Sequence, residues 1–311
     1  MSMDFKQPKR FTRMELAESA AIAGEHFKQT RTDAEASTAA FYDSAFDTAY
    51  AEIEHVLSTT GQLSNLEAMA AQLFEEGYLD VLRYMERPTV SSDDFKKLSE
   101  TNTTAKGRLS QPGNAALAME YLLRNLNTRV FPWFGSGVDP TESELNAAKH
   151  AVAALVADQK TKTMLRNKQS QSQEEAVRRA LIDGAGYRMV KARDFRMLSD
   201  GPKPGEIFHK ETSIDGVKAD VVFGLYDGRI MALECKVSNT AVNSYKRLNH
   251  ETVDKIVKWN RMFGSNGIVG GCVLQGVFAV DNLELAQKAG VAIFWSANLK
   301  ELVDFVADTE R

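Results

Sequence analysis

The stretch that most restricts this chain is a pair of apolar runs joined by a tight turn, "KADVVFGLYDGRIMALECKV", Lys218 to Val237. Both runs are rich in β-branched and large apolar residues, as strands are, and the short Asp-Gly-containing link between them reads as a hairpin. Successive side chains along a strand point to opposite faces. In the second run Met231, Leu233, Cys235 and Val237 therefore share one face, and Ile230, Ala232, Glu234 and Lys236 the other. A carboxylate and an ammonium are thus neighbours in space on a segment otherwise built to avoid water.

Two turns can close this hairpin. A two-residue Asp-Gly loop pairs Leu225 with Ile230. A three-residue loop, Tyr226-Asp227-Gly228 with Gly228 left-handed, pairs Leu225 with Arg229. The apolar pattern favours the second, because it sets Phe223 opposite Met231, Val221 opposite Leu233 and Ala219 opposite Cys235 on one face. It also sets Asp220 opposite Glu234. The other register turns Asp220 against Cys235, since a one-residue slip flips every side chain.

Two facing carboxylates repel, and a shared site raises the pKa of one of them. A divalent cation removes the conflict. Mg²⁺ takes oxygen ligands, often one or two carboxylates completed by water and substrate phosphate. Asp220 and Glu234 are the expected ligands, with the backbone carbonyl of Cys235 as a further oxygen. Lys236, on the same face, can orient or help deprotonate an attacking water, or offset charge building on a phosphate. The side chain of Cys235 points the other way and reads as a buried thiol. The competing reading is an edge strand carrying Asp220 and Lys236 as an exposed diagonal ion pair.

Around the hairpin the chain changes character. The first 150 or so residues are rich in Ala, Leu, Met and Glu at three- and four-residue spacing and predict helices, and Thr141 with Glu144 fits a capping box for another. "QSQSQ", Gln169–Gln173, reads as a polar junction, followed by a helix over roughly Gln173 to Asp183. Strands are expected at "YRMVK", "IFHKET", "KADVVFGLY", "RIMALECKV", "CVLQGVFAV" and "VAIFW", with helices over His250–Phe263, "LELAQKAG" and "LKELVDFV". The expected organisation is an all-helical domain over residues 1–165 and an α/β (α+β) domain with a mixed sheet over residues 166–311.

The residues Asp220 and Glu234-Cys235-Lys236, with a helix before them and a helix–strand unit after, resemble the PD-(D/E)xK nuclease superfamily. The resemblance implies its αβββαβ core. Ala219 stands where that motif usually carries Pro. Members often add an acid from the first core helix. Here Glu174 suits that role, with Val177 and Leu181 on its face. Glu175 competes, although Ser172-x-x-Glu175 fits a capping box. The run "ALECKVSNTAVNSYKRLNHETVDKI", the helical first half and the length are similar to type II restriction endonucleases of the XamI kind. That likeness implies double-stranded DNA as substrate, a homodimer, and a cognate DNA methyltransferase in the host. It also turns the segment after the motif toward DNA: Asn239, Asn243, Ser244, Tyr245, Lys246, Arg247 and Asn249, with Ser244 and Lys246 suited to phosphate.

Other chemistries find little support. Five scattered histidines and two cysteines, Cys235 and Cys272, give neither a zinc pattern nor a disulfide framework. "FGSG" lacks the Lys and Ser/Thr of a P-loop and reads as an interhelix turn. The charged N-terminus lacks the apolar core of a signal peptide and no run is long enough to span a bilayer, so a cytoplasmic location is expected. A net charge of −4 argues against indiscriminate polyanion binding, not against local phosphate contact. Two other functions remain open at this stage: a repair or recombination nuclease on the same fold, and a DNA-binding protein that does not cut.

Overall fold

The structure, a computed structural model, describes residues 5–310. The chain forms two compact units, one of Met1–Ala34 with Arg166–Arg311 and one of Glu35–Leu165. Helix α1 (Arg13–Asp33) opens on a capping box between Thr12 and Glu15. The second unit is helical: α2 (Glu35–Thr59), α3 (Ala70–Glu76), α4 (Leu79–Arg83), α5 (Ser92–Leu98), α6 (Lys106–Leu109) and α7 (Pro112–Arg124), with the first part of α8 (Glu142–Ala185). Its core gathers Ile53, Leu73, Phe74, Phe95 and Phe131, all fully buried. The Thr141–Glu144 capping box is present, with Glu144 Oε2 accepting from the Thr141 amide and hydroxyl at 2.8 and 2.7 Å.

The expected junction at Gln169–Gln173 is instead the interior of α8, one unbroken 44-residue helix. Glutamine is a good helix former and neither Gly nor Pro interrupts the run, so its polarity marks solvent and not a break. Ser172 consequently caps nothing, and Glu175 pairs with Arg179 one turn on.

The first unit is built on strands β1 (Arg188–Val190), β2 (Glu206–Phe208), β3 (Thr212–Ile214), β4 (Val217–Ala219), β5 (Val221–Gly224), β6 (Ile230–Ser238), β7 (Ile268–Gly276) and β8 (Ala292–Trp295). Six of them form a mixed sheet in the order β1-β2-β5-β6-β7-β8, and β3 pairs with β4 apart from it. Strands β2, β5 and β6 run antiparallel to their neighbours in turn, while β6, β7 and β8 are parallel. Between β6 and β7 lie α9 (Ala241–Tyr245), a π-helical segment (Lys246–Thr252) and α10 (Val253–Phe263). Helix α11 (Val280–Lys288) precedes β8 and α12 (Lys300–Ala307) follows it.

Both faces of the sheet are covered. Met231, Leu233 and Cys235 face Val177 and Leu181 of α8 and Leu302, Phe305 and Val306 of α12. Ile230 and Ala232 face Leu16 and Ala23 of α1, Ile256 and Trp259 of α10, and Leu283 of α11. Helix α1 thus packs with the sheet. No helix among the described residues is long and apolar enough to cross a membrane.

Three strand expectations shift. "IFHKET" splits, with β2 ending at Phe208 and β3 beginning at Thr212. "KADVVFGLY" is not one strand; it breaks at Asp220 into β4 and β5. The strand expected at "CVLQGVFAV" starts four residues earlier and ends at Gly276. Its first half, "IVGG", reads locally as loop, but a Cβ on Gly270 would stand 2.7 Å from the Ile256 side chain. The glycine is there so that α10 can lie close on the sheet.

Candidate active site

The hairpin closes by the three-residue turn. The Leu225 amide donates to the Arg229 carbonyl at 2.8 Å and the Gly228 amide to the Leu225 carbonyl at 3.0 Å. Gly228 takes φ +90°, where a side chain is strained. Phe223 stands opposite Met231 and Val221 opposite Leu233, the register the apolar pattern favours. Strand β6 is not an edge, having β5 on one side and β7 on the other.

The ladder between β5 and β6 ends at Val221–Leu233, one residue before Asp220. There the Asp220 amide donates to the Leu233 carbonyl at 3.1 Å, and its carboxylate Oδ2 accepts the Cys235 amide at 2.7 Å. A side-chain oxygen thus accepts a strand amide at the point where the regular ladder stops. The carbonyl of Asp220 accepts from Arg178 Nη2 at 2.6 Å. The strand break therefore holds the acid at both its main chain and its side chain.

Glu234 is fully buried. Lys236 Nζ lies 2.7 Å from its Oε2 and 3.8 Å from Asp220 Oδ2, so one ammonium stands between the two acids. A second ammonium, absent from the sequence reading, comes from α10. Lys255 Nζ contacts Glu234 Oε1 and Oε2 at 2.8 and 2.7 Å. Ile256, the next residue, is the one seated over Gly270. Burial, and next the charge of Asp220, raise the Glu234 pKa, while the two lysines pull it down. Burial opposes the Lys236 ammonium, but Glu234 and Asp220 outweigh it and its pKa rises.

Of the two helix acids, Glu174 is the one turned toward Asp220. Its pKa is raised by burial and then by Asp220, against Arg178. Arg178 donates to Glu174 Oε2 from Nη1 and Nη2, at 3.2 Å each, and so links α8 to the strand break. The i,i+4 spacing of Glu174 and Arg178 was a visible signal for this pair; the spacing of Lys255 gave none. Burial, then Asp220 and Glu174, push the Cys235 thiol pKa well up, as its inward position requires.

The segment after the motif is helical. Tyr245 is exposed and stacks edge-on against His250 at 5.2 Å, and Lys246 is exposed. Asn239 is exposed, its Oδ1 accepting from Arg31 at 3.4 Å. Asn249 is half-buried and donates to the Asn282 carbonyl at 3.3 Å. Ser244 does not face outward: it is fully buried, and its hydroxyl accepts from Asn282 Nδ2 at 3.0 Å. The helical turn of α9 places it against α11. The side chains of Asn243 and Arg247 lie outside the described residues.

Among the described residues no group of three or more His, Cys, Asp or Glu side chains gathers as a metal cluster. The donor set on offer is smaller: Asp220, Glu234 and a strand carbonyl. It fits a hard cation that completes its shell with water and substrate oxygen. The Lys236 ammonium lies within reach of both carboxylates.

Residues 64–295 match the family model described as XamI restriction endonuclease. The type II restriction enzyme XamI of Xanthomonas campestris pv. amaranthicola is 32% identical over 266 residues, covering 84% of this chain and 95% of that enzyme. No solved structure matches. With three quarters of its length inside the family model and a full-length relative of that identity, the chain belongs to the XamI restriction endonuclease family, the type II restriction endonucleases that cut DNA site-specifically.

Proposed function

We propose that this enzyme hydrolyses double-stranded DNA at a short sequence with Mg²⁺ held by Asp220, Glu234 and the Cys235 carbonyl. The observation that carries the reading is the single ammonium placed between two carboxylates, one of them fully buried, on a central strand. When bound, Mg²⁺ supplies positive charge for the phosphate undergoing attack. The chain's own residues do the rest. Lys236 orients the attacking water or takes part in its deprotonation. Glu174 completes the acidic side of the site, and Arg178 positions Asp220 through its main chain. The elements α8, β2, β5, β6, α10 and β7 follow the order of the αβββαβ core, with β6 and β7 parallel, which supports a PD-(D/E)xK assignment.

The unit Glu35–Leu165 supplies part of the DNA cleft or a dimer surface. A two-fold symmetric target favours a homodimer. Asn239, Tyr245, Lys246 and Asn249, with Asn243 and Arg247, contact DNA from the helical segment after β6. The enzyme works in the host cytoplasm beside a methyltransferase that protects the same sequence and is not a direct binding partner of the enzyme. The test is digestion of plasmid DNA. Discrete bands with Mg²⁺, lost with EDTA and in Asp220→Asn and Lys236→Ala, are expected. A smear points to a repair or recombination nuclease, and EDTA-resistant cutting overturns the metal assignment.

A further inference from the structure

The Glu234 carboxylate is bound twice over. Lys236 reaches Oε2 alone, whereas Lys255 reaches both oxygens. These three contacts take three of the roughly four lone-pair sites of a carboxylate, so a metal on Glu234 competes with the ammoniums for what remains. Lys255, which engages both oxygens, is the larger competitor. A dication and two ammoniums crowded on one carboxylate also repel each other.

The two lysines differ in freedom to move. Lys236 extends from the central strand beside Glu234 itself and is 15% exposed along its side chain; that of Lys255 is 28% exposed. Helix α10 cannot retreat with it, because Ile256 is locked over Gly270 and Trp259 is fully buried. Withdrawal is therefore a change in the torsions of the Lys255 side chain, not a movement of the helix. A lysine stem has several such torsions and a strongly hydrated head that seeks an anion.

We infer that Lys255 is a displaceable counter-ion. It holds Glu234 while no metal is bound, yields it to the metal, and then carries its ammonium to a phosphate of the bound DNA. This rests on the reading of Asp220 and Glu234 as metal ligands. It adds a residue that sets metal affinity and DNA affinity in opposite directions.

The test uses the full chain and Ca²⁺ alone, followed by calorimetric titration. Lys255→Met, or Lys255→Gln should the first not fold by circular dichroism, binds Ca²⁺ roughly three- to tenfold more tightly than the natural chain, because its internal competitor is gone. With Ca²⁺ present and a duplex carrying the mapped cleavage site, the same variant binds DNA more weakly. Its plot of log affinity against log salt flattens by about 0.9, the loss of one phosphate contact, and Lys255→Arg restores the slope. Unchanged or weaker Ca²⁺ binding in Lys255→Met, with Asp220→Asn still weakening it, overturns the counter-ion role and leaves the metal site standing. Equal Ca²⁺ binding by Asp220→Asn and the natural chain removes the metal reading and this inference together. An unchanged salt slope overturns the phosphate contact.

Discussion

Arg178 offers the sharpest test of how the strand break is held. Its side chain is 9% exposed and makes four hydrogen bonds: to the Asp220 carbonyl at 2.6 Å, to the Phe208 carbonyl at 3.3 Å, and two of 3.2 Å to Glu174 Oε2. Arg178→Met keeps the apolar stem and removes all four. The short bond to Asp220 is charge-assisted and contributes about 1.5–3 kcal/mol, while the long one to Phe208 adds little. Truncating one partner of a buried ion pair costs about 3–5 kcal/mol, because the other charge is stranded. Glu174 keeps 21% of its side chain exposed to water, which screens its charge, so the expected cost lies near the lower end, about 3 kcal/mol. Glu174→Gln alone leaves Arg178 its bonds to the Asp220 and Phe208 carbonyls, so the guanidinium is only partly stranded and the cost is about 1–2 kcal/mol. The double variant is then less destabilised than the two costs together, by about 1–2 kcal/mol. Urea titration followed by the fluorescence of Trp259 and Trp295, both buried in the sheet unit, measures all four corners of the cycle. Additivity within about 0.5 kcal/mol would refute the coupling. Plasmid cleavage by Arg178→Met should fall through kcat, since the arginine acts on the placement of Asp220.

Two further outcomes follow from the same geometry. Gly270→Val drives a side chain into Ile256, so α10 shifts, stability falls by about 1–3 kcal/mol and cleavage is lost, with Gly270→Ala milder; a fully active valine variant contradicts the close seating of α10. Glu86, 3% exposed in the helical unit, has its pKa lifted by burial from 4.5 to about 7, against the pull of Arg83. The folded state then keeps a proton that the unfolded chain releases, so this contribution is intact below about pH 4.5 and is lost as pH rises through 7. The lift corresponds to about 3 kcal/mol, and urea unfolding of Glu86→Gln should gain on the natural chain by about that much between pH 4.5 and pH 8, a constant difference being the contrary result.

Much of the hairpin was legible because two independent signals agreed. The Asp-Gly pair announced a tight turn of two or three residues, and the alternating apolar pattern chose between the two registers. What escaped was whatever depends on a partner. The two glycines of "IVGG" are poor strand formers, and only neighbours on other elements explain them, Ile256 for Gly270 and Ala292 for Gly271. Gln169–Gln173 advertises solvent, and solvent surrounds a long helix as readily as a junction. Ser244 looks like a phosphate ligand until the turn of α9 aims it at Asn282. Lys255 sits among ordinary polar positions of an amphipathic helix, and nothing in its neighbours says that Glu234 lies beneath. The packing of α1 on the sheet belongs to the same class: its apolar stripe announces a surface to cover and is silent about which one.

The strand break joins these facts. A regular hairpin would carry the β5–β6 ladder past Asp220, and its acid would be one more side chain facing Glu234. By leaving the ladder, Asp220 uses its own carboxylate to satisfy the Cys235 amide, and its carbonyl passes to Arg178. The Cys235 amide and the Asp220 carbonyl both keep partners through the exchange, which limits the cost of the break. It fixes the acid by one contact to strand β6 and one to helix α8. Around it, Asp220, Glu234 and Glu174 are met by Lys236, Lys255 and Arg178, three carboxylates against three cations. That balance is what allows a fully buried glutamate on a central strand. It also means that a dication entering the cluster brings uncompensated positive charge, and the anion that arrives with the substrate is phosphate. If the proposed metal site holds, this charge count makes metal and DNA each other's counter-ions, and Lys255, with the more exposed side chain of the two lysines on Glu234, is the one proposed to accommodate both.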